Sequence, residues 1–140
     1  MFGNLSNPSA AYKSVGVESA VTTASPHQLI LLLFEGAQAA ISLARGEMAR
    51  NNIPAKGKAI SRAIDIIENG LKASLNLDVD SDLPEKLDAL YDYMVVRLLH
   101  ANLKNDPAAL EEVATLLGEI QSAWVEIRDQ INGTPPAAGG

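Results

Sequence analysis

The chain has 140 residues, 47% of them hydrophobic and 20% charged, with a net charge of -6 and no cysteine. That size and balance suit one folded domain, not two and not a disordered chain. The acidic total argues against nucleic acid, which needs clustered Lys and Arg, and the missing thiols exclude disulfides, thiol catalysis and thiolate metal sites, as suits a reducing cytoplasm.

Residues 1–24 are rich in Asn, Ser, Gly and Thr. They lack the basic start and apolar core of a signal peptide. Tyr12 is the one sizeable aromatic after Phe2, ahead of the weakly apolar Val15, Val17, Ala20 and Val21. This stretch is expected to form a short, loosely ordered N-terminal arm.

The first helix has a clear start. Ser25 is an N-cap, Pro26 fills the first helical position, and Gln28 completes a Ser-x-x-Gln capping box. Ile30, Leu33, Phe34, Ala37, Ile41, Ala44 and Met48 follow at spacings of three and four, and Leu29, Leu32, Ala39 and Leu43 widen the stripe. The longest unbroken apolar run, Leu29 to Phe34, is far shorter than the roughly 20 residues that span a bilayer. Pro54 disfavours continuation, so the helix should end near Asn51-Asn52.

The second helix is predicted from about Ala55 to Leu75. Its main stripe is Ile60, Ile64, Ile67 and Leu71, with Lys58, Arg62, Asp65, Glu68 and Lys72 on the wet side and Ile66 off the stripe. Gly57 and Gly70 should weaken its ends. An acidic linker, Asp78-Val79-Asp80-Ser81-Asp82, follows, and Ser81 or Asp82 can cap a third helix whose first turn holds Pro84.

The third helix is apolar on nearly every side. Between Leu87 and Leu103 the polar residues include Asp88, Asp92, Arg97, His100 and Asn102, and they gather on no single face. A helix of that kind is central in a core or awaits a partner, and a chain this small offers little protein to surround it. Tyr91 and Met94 fit a core stripe with Leu87, Leu98 and Ala101, whereas Tyr93 points elsewhere.

The fourth helix begins at the cap Asp106 and at Pro107. Leu110, Val113, Leu117, Ile120, Trp124, Ile127 and Ile131 form a heptad seam that stops at Asn132-Gly133. Trp124 occupies a seam position and is expected in the core. Residues 134–140, all Thr, Pro, Ala and Gly, should be a disordered tail. Short connections between four long helices imply an all-α, antiparallel up-down four-helix bundle over residues 25–133.

Little here supports catalysis. His27 and His100 are the only histidines, neither lies in Glu-x-x-His, and no phosphate loop or nucleophile elbow occurs. His27 is expected as a first-turn surface residue. His100 with Lys104 distantly resembles a phosphotransfer histidine, but the lysine comes a residue late and Asn105 stands in place of glycine; a solvent-edge histidine is the simpler assignment. No catalytic residue, cofactor or metal site is expected.

Three blocks together resemble the flagellin-export chaperones, the FliS family. The first is Thr23-Ala24-Ser25-Pro26-His27-Gln28-Leu29-Ile30 with Leu33-Phe34-Glu35-Gly36. The second is Leu87-Asp88-Ala89-Leu90-Tyr91-Asp92-Tyr93-Met94, continuing to Leu98-Leu99-His100-Ala101-Asn102. The third is Glu111-Glu112-Val113 through Trp124. The likeness covers about residues 10 to 131. Two departures stand out: Asp80-Ser81-Asp82 where the family commonly has a Gly-Gly pair, and Phe34 where tyrosine is frequent.

The resemblance implies a cytoplasmic chaperone that binds the C-terminal region of flagellin. It would prevent premature polymerisation and present the client to the flagellar type III export gate. An anti-sigma factor or other flagellar regulator is a further candidate partner, and neither nucleic acid nor membrane insertion is implied. The family's N-terminal tyrosine, thought to cover part of the client surface as a displaceable lid, matches Tyr12. Off-stripe apolar residues nominate the flagellin groove: Ile66, Val96, Leu99, Leu116 and Ala123. The competing expectation is a structural or homo-oligomeric bundle in which the same surfaces meet a second copy.

Overall fold

The computed structural model describes the backbone of residues 25–78 and 80–131, with side chains as far as residue 126. Among the described residues there are four helices and no strand. Helix α1 spans Pro26–Ala49 and opens on the expected capping box: Ser25 Oγ accepts from the Gln28 amide at 3.1 Å, and Gln28 Oε1 accepts from the Ser25 amide at 2.9 Å. Asn51, with φ of 61°, turns the chain in the left-handed region that asparagine tolerates.

Asn52 then caps α2, Ile53–Ile66, by accepting from the Ala55 amide. The helix starts two residues before its predicted first residue. Pro54 sits in the first turn, where its missing N–H has no helical partner to lose, so it opens this helix as well as closing the previous one. A π-helical turn, Ile67–Lys72, continues α2 without a break. Gly70 lies within it, and a Cβ there would stand 2.9 Å from Leu33 Cδ2. The glycine lets the turn approach a fully buried leucine of α1.

Helix α3 spans Leu83–Lys104. Asp82 occupies its N-cap position without a side-chain cap bond and pairs with Lys86 at 3.2 Å, while Ser81 Oγ accepts from the Leu83 amide. Asn105, with φ of 52°, ends the helix. Asp106 Oδ1 accepts from the Ala108 amide and opens α4, Pro107–Ile131, as predicted.

The four helices close a ring in which α1 packs on α2 and α4, and α3 packs on the same two. Cross-helix contacts fix the directions. His27 meets Trp124 and Gln38 donates to the Ala114 carbonyl, so α1 and α4 run antiparallel. Lys56 meets Asn102 while Lys72 meets Asp88 and Asp92, so α2 and α3 do too. Leu33, Phe34, Ile41, Ile60, Ile67, Met94, Leu98, Leu110 and Leu117 fill the centre. Tyr91 and Ala101 are buried with them, as predicted.

Two expectations are corrected. Ile66 is buried, not exposed beside a groove, and its Cδ1 lies 3.3 Å from where a Cβ would sit on Gly36. The buried face of α2 is centred on Lys56, Ala59, Ala63 and Ile67, which places Ile66 inside and leaves Ile64 half-buried. His27 is buried as well, at 9% exposure, because α4 covers the start of α1. Helix α1 is long and apolar enough to cross a membrane by composition, but half of its most apolar window is buried inside the bundle. Its apolar breadth serves contact with two neighbouring helices.

Candidate functional site

An apolar concavity lies at the end of the bundle where α1 and α3 begin and α4 approaches its end. It is a cavity of about 550 Å³. Its walls include His27, Ile30 and Phe34 of α1, Leu71 of the π turn and Leu75 just after it, Leu83, Leu87 and Tyr91 of α3, and Ile120 and Trp124 of α4. Leu71, Phe34 and Ile30 belong to the core itself, so the pocket is an opening onto the core where the helices diverge.

His27 and Trp124 hold one wall. Their rings stack with centroids 4.4 Å apart and planes within 2° of parallel. Each ring also bonds the other residue's backbone: His27 Nε2 lies 2.8 Å from the Trp124 carbonyl, and the indole N–H donates to the His27 carbonyl at 3.2 Å. A carbonyl only accepts, so Nε2 carries a proton. Trp124 is half-buried and packs against the edge of the core rather than within it. The seam of α4 is thus deepest at Leu110, Val113 and Leu117 and rises toward the pocket mouth at Ile120 and Trp124.

Tyr91 lines the floor, and burial pushes its hydroxyl pKa well above the usual tyrosine value, which keeps it neutral. The pocket therefore presents mainly ring faces and aliphatic chains, and among the described residues no Asp, Glu, Lys or Arg lines it. That chemistry selects apolar side chains of a partner.

A second apolar surface lies on the outside of α3. Val96, Leu99 and Leu103 are 62%, 54% and 77% exposed, one helical stripe at spacings of three and four. The flank toward α4 is polar and paired. Glu112 accepts from the Tyr93 hydroxyl and from Arg97 Nε at 2.7 Å. The Tyr93 bond first, and the Arg97 bond second, hold the Glu112 carboxyl below its ordinary value, and the same bond to Glu112 raises Tyr93. His100, at the solvent edge, pairs with Asp106 at 3.1 Å. On the other flank burial alone would lower the Lys72 pKa, but Asp88 and Asp92 outweigh it and raise it.

The five nominated groove residues do not form one groove. Val96 and Leu99 share the exposed α3 stripe, Leu116 is half-buried against the core, Ala123 is exposed on α4, and Ile66 is internal. Tyr12 lies outside the described residues. Sequence reasoning missed the pocket and the His27 side of it. The capping box had already placed His27 on the first turn of α1, yet nothing local to it signals a partner 97 residues away.

The family model described as flagellar protein FliS matches residues 8–131. The flagellar secretion chaperone FliS of Salmonella typhimurium is 52% identical over 84% of this chain and 87% of its own. FliSB of Pseudomonas aeruginosa, also a flagellar secretion chaperone, is 44% identical over 81% and 89%. The Bacillus subtilis FliS is 33% identical over 86% and 85%.

Proposed function

The chain belongs to the FliS family of flagellar secretion chaperones, non-enzymatic proteins of flagellar export, and on that premise we propose that it binds the C-terminal region of flagellin in the cytoplasm. It holds one client per chaperone, keeps the client from polymerising early, and delivers it to the type III export apparatus. The observation that carries this reading is the open apolar pocket at the junction of α1, α3 and α4. A folded client would have no apolar side chains free to fill it, whereas a segment that is unfolded before export does.

Binding and ordering of the client are coupled. A disordered segment loses conformational entropy on capture, and burial of apolar surface must exceed that cost. An opening that reaches core residues such as Phe34 and Leu71 offers such burial. Helical client segments would fill the pocket with bulky side chains and extend over neighbouring exposed positions, including Val96, Leu99, Leu116 and Ala123. The N-terminal arm, through Tyr12, acts as a displaceable cover of the same surface.

Isothermal calorimetry with the purified C-terminal segment of flagellin is the test. One-to-one binding with a large negative heat-capacity change is expected. Absence of binding at tens of micromolar, with the bundle intact by circular dichroism, would remove the assignment.

A further inference from the structure

A π turn closes its hydrogen bonds one residue later than an α-helix. The residues that follow are therefore set back by about one position, about 100° of rotation. The turn at Ile67–Lys72 does this at the edge of the pocket. In an unbroken α-helix Lys72 would extend the outward row of Ser61, Asp65 and Glu68, and Leu71 the row of Ile60, Ile64 and Ile67. The turn moves each of them one row inward. Lys72 comes to the flank that faces α3, where its Nζ meets Asp88 at 3.5 Å and Asp92 at 3.4 Å. Leu71 falls in line with the buried Ala59, Ala63 and Ile66. Gly70 is brought against Leu33 of α1, where a Cβ would not fit. The Ser74 amide then bonds the Gly70 and Leu71 carbonyls, and the Leu75 amide bonds that of Lys72, so the exit from the helix keeps this setting. Leu75 ends in the pocket wall, packed on the core.

We propose that the π turn sets the register of the pocket and that Lys72 is its positioning residue. The surplus residue in the turn carries Lys72 round to Asp88 and Asp92, and this clamp holds Leu71 and Leu75 in the pocket wall. Lys72 itself does not line the pocket; it acts through the two leucines. Without the clamp the turn is free to rewind as an α-helix, which returns Lys72 to the outward row and takes Leu71 off the line of Ala59, Ala63 and Ile66. The fraction of molecules with a formed pocket then falls, and apparent affinity falls with it. This inference rests on the client assignment for what the pocket holds, but not for how its wall is placed.

The test titrates the full chain with the neutral apolar dye N-phenyl-1-naphthylamine and, separately, with a flagellin C-terminal segment. Trp124, the single tryptophan, lies in the same wall, so energy transfer from it reports dye seated there. Lys72→Met keeps the aliphatic stem and removes the charge. It should weaken both ligands about fivefold with an unchanged helical spectrum, because a partly exposed ion pair sets only a modest preference. Lys72→Arg should restore both to within about twofold of wild type, since guanidinium also bridges two carboxylates. Lys86→Met, which removes the same charge from an exposed pair with Asp82, should change neither. Deleting Asn69 takes out the surplus residue, and the straight α-helix that results leaves Leu71 and Lys72 in the same rows. That variant should fold and bind within about twofold of wild type. A Lys72→Met chain with wild-type affinity for the dye overturns the proposal, as does Lys72→Arg no better than Lys72→Met, or Lys86→Met equally weakened. An Asn69 deletion that unfolds or loses the dye overturns the one-residue shift. A wild type that takes up no dye has no open pocket to position and overturns it too. The expected dye results, with flagellin bound by no variant and not by wild type, uphold the inference and remove the client assignment.

Discussion

Truncating Trp124 to alanine separates the pocket wall from the core. Loss of a fully buried tryptophan costs about 3–5 kcal/mol, the range expected for a seam residue at the centre of α4. The side chain is only half-buried, however, and it packs on the core's edge. Half the burial and the loss of one ring stack bring the expected cost to about 2 kcal/mol. Trp124→Phe keeps an aromatic face over His27 but removes the indole N–H that donates to the His27 carbonyl. That carbonyl lies at an open site where water can replace the donor, so the Phe variant should lose about 1 kcal/mol or less. Urea denaturation followed by circular dichroism measures both, since the chain has a single tryptophan and fluorescence vanishes with it. A loss above ~4 kcal/mol for the Ala variant would mean the indole is enclosed, and one below ~0.5 kcal/mol would mean the stack holds nothing; either refutes the reasoning. The Ala variant should also weaken client binding more than it weakens folding, because the wall it removes faces the pocket.

Three further outcomes are expected. Lys56 is 2% exposed, and its Nζ donates to the Asn102 carbonyl at 2.8 Å and to Asn105 Oδ1 at 2.6 Å, closing the end of α3; Lys56→Met should cost about 1–3 kcal/mol by leaving a terminal carbonyl without its donor, read by urea denaturation. Glu112 has its folded pKa depressed by Tyr93 and Arg97, so its stabilisation is present above the ordinary glutamate value of 4.5 and is lost as pH falls through the lower folded value; Glu112→Gln should flatten the stability profile as pH falls below that ordinary value, read by urea denaturation at a series of pH values. Deleting residues 1–20 should tighten flagellin binding about tenfold if the arm's own contact contributes ~1.4 kcal/mol, whereas Tyr12→Ala alone would weaken binding if Tyr12 touches the client; equal affinities would make the arm passive.

The helices were legible in the sequence wherever their signals were local. Ser25-Pro26 with Gln28, and Asp106-Pro107, are caps whose chemistry is complete within four residues. Tyr91, Met94 and Leu98 were placed inside by periodicity because large side chains mark that face. The phase of α2 was not legible. Its interface is built on Lys56, Ala59, Ala63 and Gly70, which register weakly or wrongly as apolar, so the isoleucines drew the stripe towards Ile64 and away from Ile66. The π turn adds to this by burying the adjacent residues Gly70 and Leu71 together. The pocket could not be read at all. It arises where four helix ends diverge, and no residue's neighbours in sequence report that divergence.

The stack of His27 on Trp124 also sets an order of events as the protein folds. Its two residues are separated by 97 positions, while the α1–α2, α2–α3 and α3–α4 hairpins each close over far shorter stretches of chain. Loop-closure entropy favours the near pairings first and the α4-to-α1 closure last. The wall of the pocket is therefore the final piece to assemble, and a chain still emerging without the end of α4 has no pocket to offer. Competence to hold a client is acquired in the same step that completes the fold.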